Sequence, residues 1–270
     1  MAFKRNRTGF VMGGILLLAV IIPQLAWILT LFLVMTAILG ISEFHTIAKN
    51  AKARPRIEMM YLMTAALIID AYFHQLAHIE EISIISIAAT LAVFILPDDF
   101  AGSLAGAGAT LLGVLWIALP VALGLIILNM KDGNFLLGLL LAIVFFTDVG
   151  AYLVGNRLGR HKLCPCLSPK KTVEGAIGGF VFAILTAFAC TIVLDIIQKP
   201  VLTDRELLFL GAFFGIASQV GDLVESTFKR DANVKDSGRL LYGHGGILDR
   251  MDSLIFCLPL MYLFLRIFPR

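Results

Sequence analysis

"NFLLGLLLAIVFFTDVGAYLVGN", residues 134–156, is 23 residues long and carries one formally charged side chain, Asp148. Wound as an α-helix it would extend about 35 Å, enough to cross the roughly 30 Å hydrocarbon core of a bilayer. A carboxylate inside such a helix is costly in lipid and ordinarily faces a polar cavity or a partner. The stretch therefore assigns the chain to a membrane and asks what Asp148 faces.

The same pattern recurs along the chain, whose 270 residues are 59% hydrophobic. Apolar runs at 10–24, 25–43, 57–76, 83–97, 104–128, 134–156, 173–194, 206–226 and 251–268 predict an all-α integral membrane protein. The expected architecture is a polytopic helical bundle of about nine transmembrane helices in a single domain, with the N-terminus cytoplasmic. The alternation of a membrane β-barrel is absent. Two choices are open from apolarity alone. Residues 10–43 form one long helix or a hairpin broken at Pro23, and 104–128 is continuous or breaks at Pro120.

Charge placement arbitrates, because basic residues collect on the cytoplasmic side. With nine spans, the inner segments hold Lys4, Arg5 and Arg7, then Lys49, Lys52, Arg54 and Arg56. They also hold Arg157, Arg160, Lys162, Lys170 and Lys171, then Lys229, Arg230, Lys235, Arg239 and Arg250, in all 17 of 22 basic residues. Fusing the first two spans or splitting the fifth would strand a basic cluster outside. No small-residue cleavage site follows residues 10–22, so an uncleaved first span is expected rather than a signal peptide.

A net charge of +3 names no partner, and no soluble domain offers a groove for nucleic acid. Cys190 and Cys257 lie in apolar runs as packing residues. Cys164 and Cys166 sit in a basic loop near His161, but no further cysteine or histidine pair completes a zinc set.

Two polar loops, 157–172 and 227–250, fall on the inner face by this topology, flanking the seventh and eighth spans. The second runs into "KRDANVKDSGRLLYGHGGILDRMDS", Lys229–Ser253, in which nine residues are charged, against 15% of the whole chain. Around the loops stand Asp148, Glu174, Asp222, Glu225, Asp249 and Asp252. Asp222 and Glu225 are three apart, as are Asp249 and Asp252, so on helices each pair shares a face. Hard cations such as Mg²⁺ take oxygen ligands of this kind. Interfacial salt bridges to Lys229, Arg230 and Arg250 are the plainer reading of any single acid; the group with Asp148 favours a metal site. Lys and Arg suit phosphate oxygens, and Gly243, Gly245 and Gly246 let backbone N–H groups approach an anion. His244 either donates to a phosphate or caps the loop.

These residues form a pattern. Ser226-x-Phe228-Lys229-Arg230, then Lys235-Asp236-x-Gly238, then His244-Gly-Gly-Ile-x-Asp249-Arg250-Met251-Asp252 resembles the signature of phosphatidate cytidylyltransferases, or CDP-diacylglycerol synthases. "SPKKTVEG" at 168–175, Gly178-Gly179, and Asp148 with "GAYLVGNRLG" at 150–159 resemble the same family. The likeness covers about residues 145–255, the catalytic region, and leaves 1–130 as mainly scaffold. Tyr242 stands where the family usually has proline.

The resemblance implies a Mg²⁺-dependent transfer of the cytidylyl group of CTP to phosphatidate, giving CDP-diacylglycerol and pyrophosphate for phospholipid biosynthesis. It implies an enzyme of a bacterial inner membrane with its site facing the cytoplasm, and it admits a homodimer. A second, monovalent cation is left open. On that reading Asp222, Asp249, Lys229, Arg250 and His244 are catalytic, and Asp222, Asp249, Asp252 and Asp148 hold the metal. Ser168, Lys170, Lys171, Thr172, Ser226, Arg230, Lys235, Gly245 and Gly246 bind substrate. A CTP-dependent lipid kinase acting on a polyprenol-type alcohol is the nearest rival. An ion-coupled transporter is the more distant one, since the ionisable residues crowd one face and no repeat is evident.

Overall fold

The computed structural model describes residues 14–95, 100–199, 201–238 and 245–268. Helix α1 (14–21) ends in a 3₁₀ turn at Pro23–Leu25, and α2 (Trp27–Asn50) follows. The break at Pro23 is therefore present, while α2 runs seven residues beyond the expected end at 43. Next come α3 (Ile57–His74), α4 (Ile79–Val93), α5 (Ser103–Gly113), a π-helical turn (Val114–Ala118) and α6 (Leu119–Asn129). The remainder is α7 (Gly133–Leu158), β1 (Lys162–Cys164), β2 (Ser168–Thr172), α8 (Val173–Ile196), α9 (Asp204–Asp231) and α10 (Leu248–Ile267).

Among the described residues, five helices are long and apolar enough to cross a membrane: α2, the joined α5–α6 segment Ser103–Asn129, α7, α8 and α9. Helices α3 and α10 have 18 and 20 residues but carry ionisable groups, among them Asp70 in α3 and Asp249, Arg250 and Asp252 in α10. Helix α4 has 15 residues, about 22 Å, which is short of the hydrocarbon thickness. The α5–α6 segment does not break at Pro120. A proline lacks an N–H and crowds the carbonyl four residues back, here that of Trp116, and the wide π turn lies there.

Two loop boundaries move. The polar segment at 157–172 is mostly an antiparallel β-hairpin, pairing Lys162 with Thr172 and Cys164 with Ser168. The polar segment at 227–250 is helical to Asp231 and again from Leu248, so α9 and α10 carry most of its charged side chains on rigid backbone.

In lipid the drive for helix association is close packing rather than apolar burial, and small residues permit it. Helices α7 and α8 meet in this way. A Cβ at Gly175 would lie 2.8 Å from the Ala151 carbonyl, and one at Gly179 would lie 2.9 Å from that of Thr147. The buried core joins Leu33 and Ile41 of α2, Met60 of α3, Ile127 of α6, Leu140 of α7 and Phe214 of α9. Exposed Phe145, Phe188, Phe209 and Ile216 coat the outside of the bundle, as lipid contact requires.

Candidate active site

The site is built where the end of α9, the start of α10, the hairpin and the end of α2 converge. A capping box of Thr203 and Glu206 sets the start of α9. Along that helix Glu225 and Lys229, one turn apart, form a buried ion pair, Nζ to Oε2 2.5 Å. Lys229 also reaches Asp249 Oδ1 at 2.6 Å, tying α9 to α10. Glu225 is 0% exposed and Lys229 8%, so each depends on its partner.

Asp249 organises the loop before α10. Its Oδ2 accepts from the backbone N–H of Ser237 at 2.9 Å and the N–H of Gly246 at 2.8 Å, and lies 3.0 Å from the Ser237 hydroxyl, whose single proton is shared with Glu43. Gly245 has φ +78°, a backbone that favours glycine, and a Cβ there would press on the Asp249 carboxylate. The anion cradled by the glycine turn in this structure is thus the protein's own.

A second carboxylate supports the loop from the scaffold half. Glu43 of α2, 5% exposed, accepts from the Ser237 hydroxyl at 2.8 Å, Ile247 N–H at 2.9 Å and Leu248 N–H at 3.0 Å. It therefore satisfies first-turn donors of α10, where negative charge is favourable. Gly238 and Gly246 pack directly on it.

On the other side, Lys171 of β2 forms an ion pair with Asp222 of α9. Arg230 Nε donates to the Leu167 carbonyl at 3.0 Å, fastening the hairpin tip to the end of α9. Thr172 caps α8, its hydroxyl accepting from Gly175 N–H at 3.1 Å. Glu174 accepts from the N–H groups of Arg160 and His161, which closes the turn after α7.

Asp148 feels the charges of Asp222, Lys171 and Arg250, and Asp252 feels those of Asp222, Glu225 and Asp148. Asp148, Asp222, Glu225, Asp249 and Asp252 are thus one electrostatic group, set against Lys171, Lys229 and Arg250. The five carboxylates outnumber the three cations by two. Among the described residues, Glu225 Oε1 and the hydroxyls of Ser218 and Ser253 are buried with no hydrogen-bond partner. Orphaned oxygens among an excess of carboxylates form a donor set that suits a divalent cation with oxygen ligands.

A model of the Cytidylyltransferase family matches residues 3–268. The chain belongs to the Cytidylyltransferase family. It is 48% identical over 126 residues to the phosphatidate cytidylyltransferase of Bacillus subtilis (strain 168), a match covering 47% of this chain and 45% of that protein. It is 49% identical over 123 residues to the enzyme of that name from Staphylococcus aureus (strain COL), covering 46% of each. For Staphylococcus saprophyticus the identity is 47% over 123 residues, again 46% of each. The match spans about half the length of these curated relatives.

Within this cytidylyltransferase-family chain, the expected metal and catalytic residues Asp148, Asp222, Lys229, Asp249, Arg250 and Asp252 come together. They are not equivalent. Asp148 keeps accessible surface, Asp222 is half-buried, and Asp252 is buried. Asp249 has both oxygens engaged by the protein. Of the substrate-binding expectations, Lys171 joins the charge group, while Lys170 and Lys235 are exposed. Ser168 is half-buried in the hairpin, Ser226 is buried on α9, and Arg230 is engaged by carbonyl oxygens. His244, Gly243, Tyr242 and Arg239 lie outside the described residues. Cys164 and Cys166 are free thiols. Glu43 was not anticipated; its signal was a lone carboxylate near the end of an apolar run.

Proposed function

We propose that the whole protein transfers the cytidylyl group of CTP to phosphatidate, releasing pyrophosphate and forming CDP-diacylglycerol. The observation that carries this reading is the surplus of carboxylates held among basic side chains at one end of a membrane bundle. It is supported by family membership and by relatives named for that reaction. An oxygen of the lipid phosphate attacks the α-phosphorus of CTP, and the bond from that phosphorus to the pyrophosphate oxygen breaks. The attacking phosphate is already an anion, so no strong general base is required. The difficulty is to bring two polyanions together.

Asp222, Asp252 and Asp148 would hold Mg²⁺, with Asp249 adjoining through the Lys229 bridge. Bound there, Mg²⁺ would neutralise phosphate charge and support the departing pyrophosphate. Lys171 and Arg250, flanking the acids, place positive charge where triphosphate oxygens would lie. Exposed Lys170 and Lys235 guide nucleotide toward them. The buried Glu225–Lys229–Asp249 chain keeps α9 and α10 in register so that the acids stay converged. Ser226 and Ser168 offer hydroxyls to either substrate, and His244 remains the proposed donor of the glycine turn.

The charge bias of the loops supports a cytoplasmic placement for this end, with about nine membrane segments and the enzyme in a bacterial inner membrane. A homodimer is compatible with this assembly. The test supplies labelled CTP and phosphatidate to protein in detergent micelles with and without Mg²⁺. Mg²⁺-dependent pyrophosphate and CDP-diacylglycerol are expected; release of CDP with a phosphorylated lipid alcohol would refute the assignment in favour of a kinase.

A further inference from the structure

The far end of α3 carries a second polar cluster that the transfer reaction does not use. Helix α2 brings Glu43 to the site two turns before it ends, and six residues separate its end from the start of α3. An 18-residue helix is about 27 Å long, so the last turn of α3 lies at the opposite end of the bundle. There Asp70 and His74 sit one turn apart, and α3 stops because Gln75 and Leu76 both take left-handed backbone, φ 54° and 60°. Leucine adopts that conformation at a cost of about 1 kcal/mol or more. The turn carries His78 back over the helix end, where its backbone N–H donates to Asp70 Oδ2 at 3.1 Å.

Both imidazoles then aim Nδ1 at one oxygen, Asp70 Oδ1, at 3.2 Å from His74 and 2.8 Å from His78. The three ligand atoms lie within 4.8 Å of one another. Around a tetrahedral zinc ion with bonds of about 2.0–2.1 Å, neighbouring ligand atoms are about 3.3 Å apart. The cluster is therefore within about half an ångström of zinc geometry along both measured edges. Asp70 is buried, while the two rings are about half exposed, so an ion held between them has access to water for its fourth position. Glu81, in the first turn of α4, lies within electrostatic reach of His78 and adds negative charge.

We infer that Asp70, His74 and His78 form a binding site for a divalent transition-metal ion, Zn²⁺ being the cation whose ligand preference fits two imidazoles and a carboxylate. Mg²⁺ is disfavoured by the nitrogen donors. Because the ligands come from both sides of the α3–α4 turn, the ion clips these helices together at the face away from the transfer site. The inference is independent of the proposed reaction.

The test uses metal-stripped, untagged full-length protein in detergent, titrated with Zn²⁺ against a chromophoric chelator and with Co²⁺ followed by its visible absorption. One equivalent is expected, with a tetrahedral Co²⁺ spectrum and a rise in thermal midpoint on adding Zn²⁺. The His74→Ala/His78→Ala variant should bind at least about a hundredfold more weakly, beyond the loss of an outer hydrogen bond, and show no cation-dependent midpoint. It should keep the size-exclusion elution and helical circular dichroism of the wild type, which shows that it folds. The Cys164→Ser/Cys166→Ser variant should keep the ion. Equal binding by wild type and the histidine variant, no binding by wild type, or binding that vanishes with the thiols would overturn the site.

Discussion

Replacing Glu43 with glutamine separates the scaffold's contribution from the chemistry. The carboxylate takes one donor on Oε1, Ile247 N–H, and two on Oε2, the Ser237 hydroxyl and Leu248 N–H. A glutamine keeps one acceptor oxygen and turns the other into an NH₂. In the less damaging orientation the amide oxygen keeps the two donors and the NH₂ faces Ile247 N–H. That forfeits one charge-assisted hydrogen bond, about 1.5–3 kcal/mol, and weakens the other two by removing the charge. Opening of the loop should become easier by at least about 2 kcal/mol, or roughly 30-fold. Hydrogen exchange in detergent micelles should show the amides of Ser237, Gly246, Ile247 and Leu248 exchanging faster by that factor, while those of α7 and α8 are unchanged. Turnover should fall, because the same loop positions Asp249. Unchanged exchange at Ile247 and Leu248 would refute the idea that Glu43 holds the loop.

Other expected outcomes follow from the same geometry. Gly246→Ala should reproduce the Glu43→Gln phenotype, because its Cβ would collide with the Glu43 carboxylate and the Ser237 hydroxyl; activity and hydrogen exchange check this. Lys229→Met leaves Glu225 and Asp249 buried without their cation and should cost about 3–5 kcal/mol in thermal unfolding, relieved in part by adding Glu225→Gln. Asp222→Asn should abolish Mg²⁺-dependent turnover with little change in thermal midpoint, since Asp222 is half-buried and pairs at the rim with Lys171. Asp252→Asn should lose turnover yet raise the midpoint by a few degrees, about 1 kcal/mol, because it removes a buried charge repelled by neighbouring acids.

Asp249→Asn would be a poorer probe of the metal than Asp222→Asn. The sequence presents both as acids beside a helix, with nothing to distinguish them. Only the folded chain shows that Asp249 accepts from Lys229, Ser237 and Gly246, so that its loss loosens the loop as well as the charge group. The glycines near 245 are similar. Their spacing announces a tight turn around an anion, and the anion turns out to include the side chain four residues on.

What the sequence determined by itself is the solvent of the fold and the chemical class of its site. Uninterrupted apolar runs admit few structures other than helices in lipid, and a dense motif of acids, bases and glycines can be read without coordinates because its members are near neighbours along the chain. Tertiary structure decided everything that joins distant segments. Glu43 meets Leu248 across 205 positions, and Lys171 meets Asp222 across 51. Helix lengths also depended on it: α9 runs five residues into the expected loop, to Asp231, where Arg230 is held by the hairpin's Leu167 carbonyl. A local pattern records which groups a segment needs to satisfy, but the partner that satisfies them is set by packing of helices far apart in sequence.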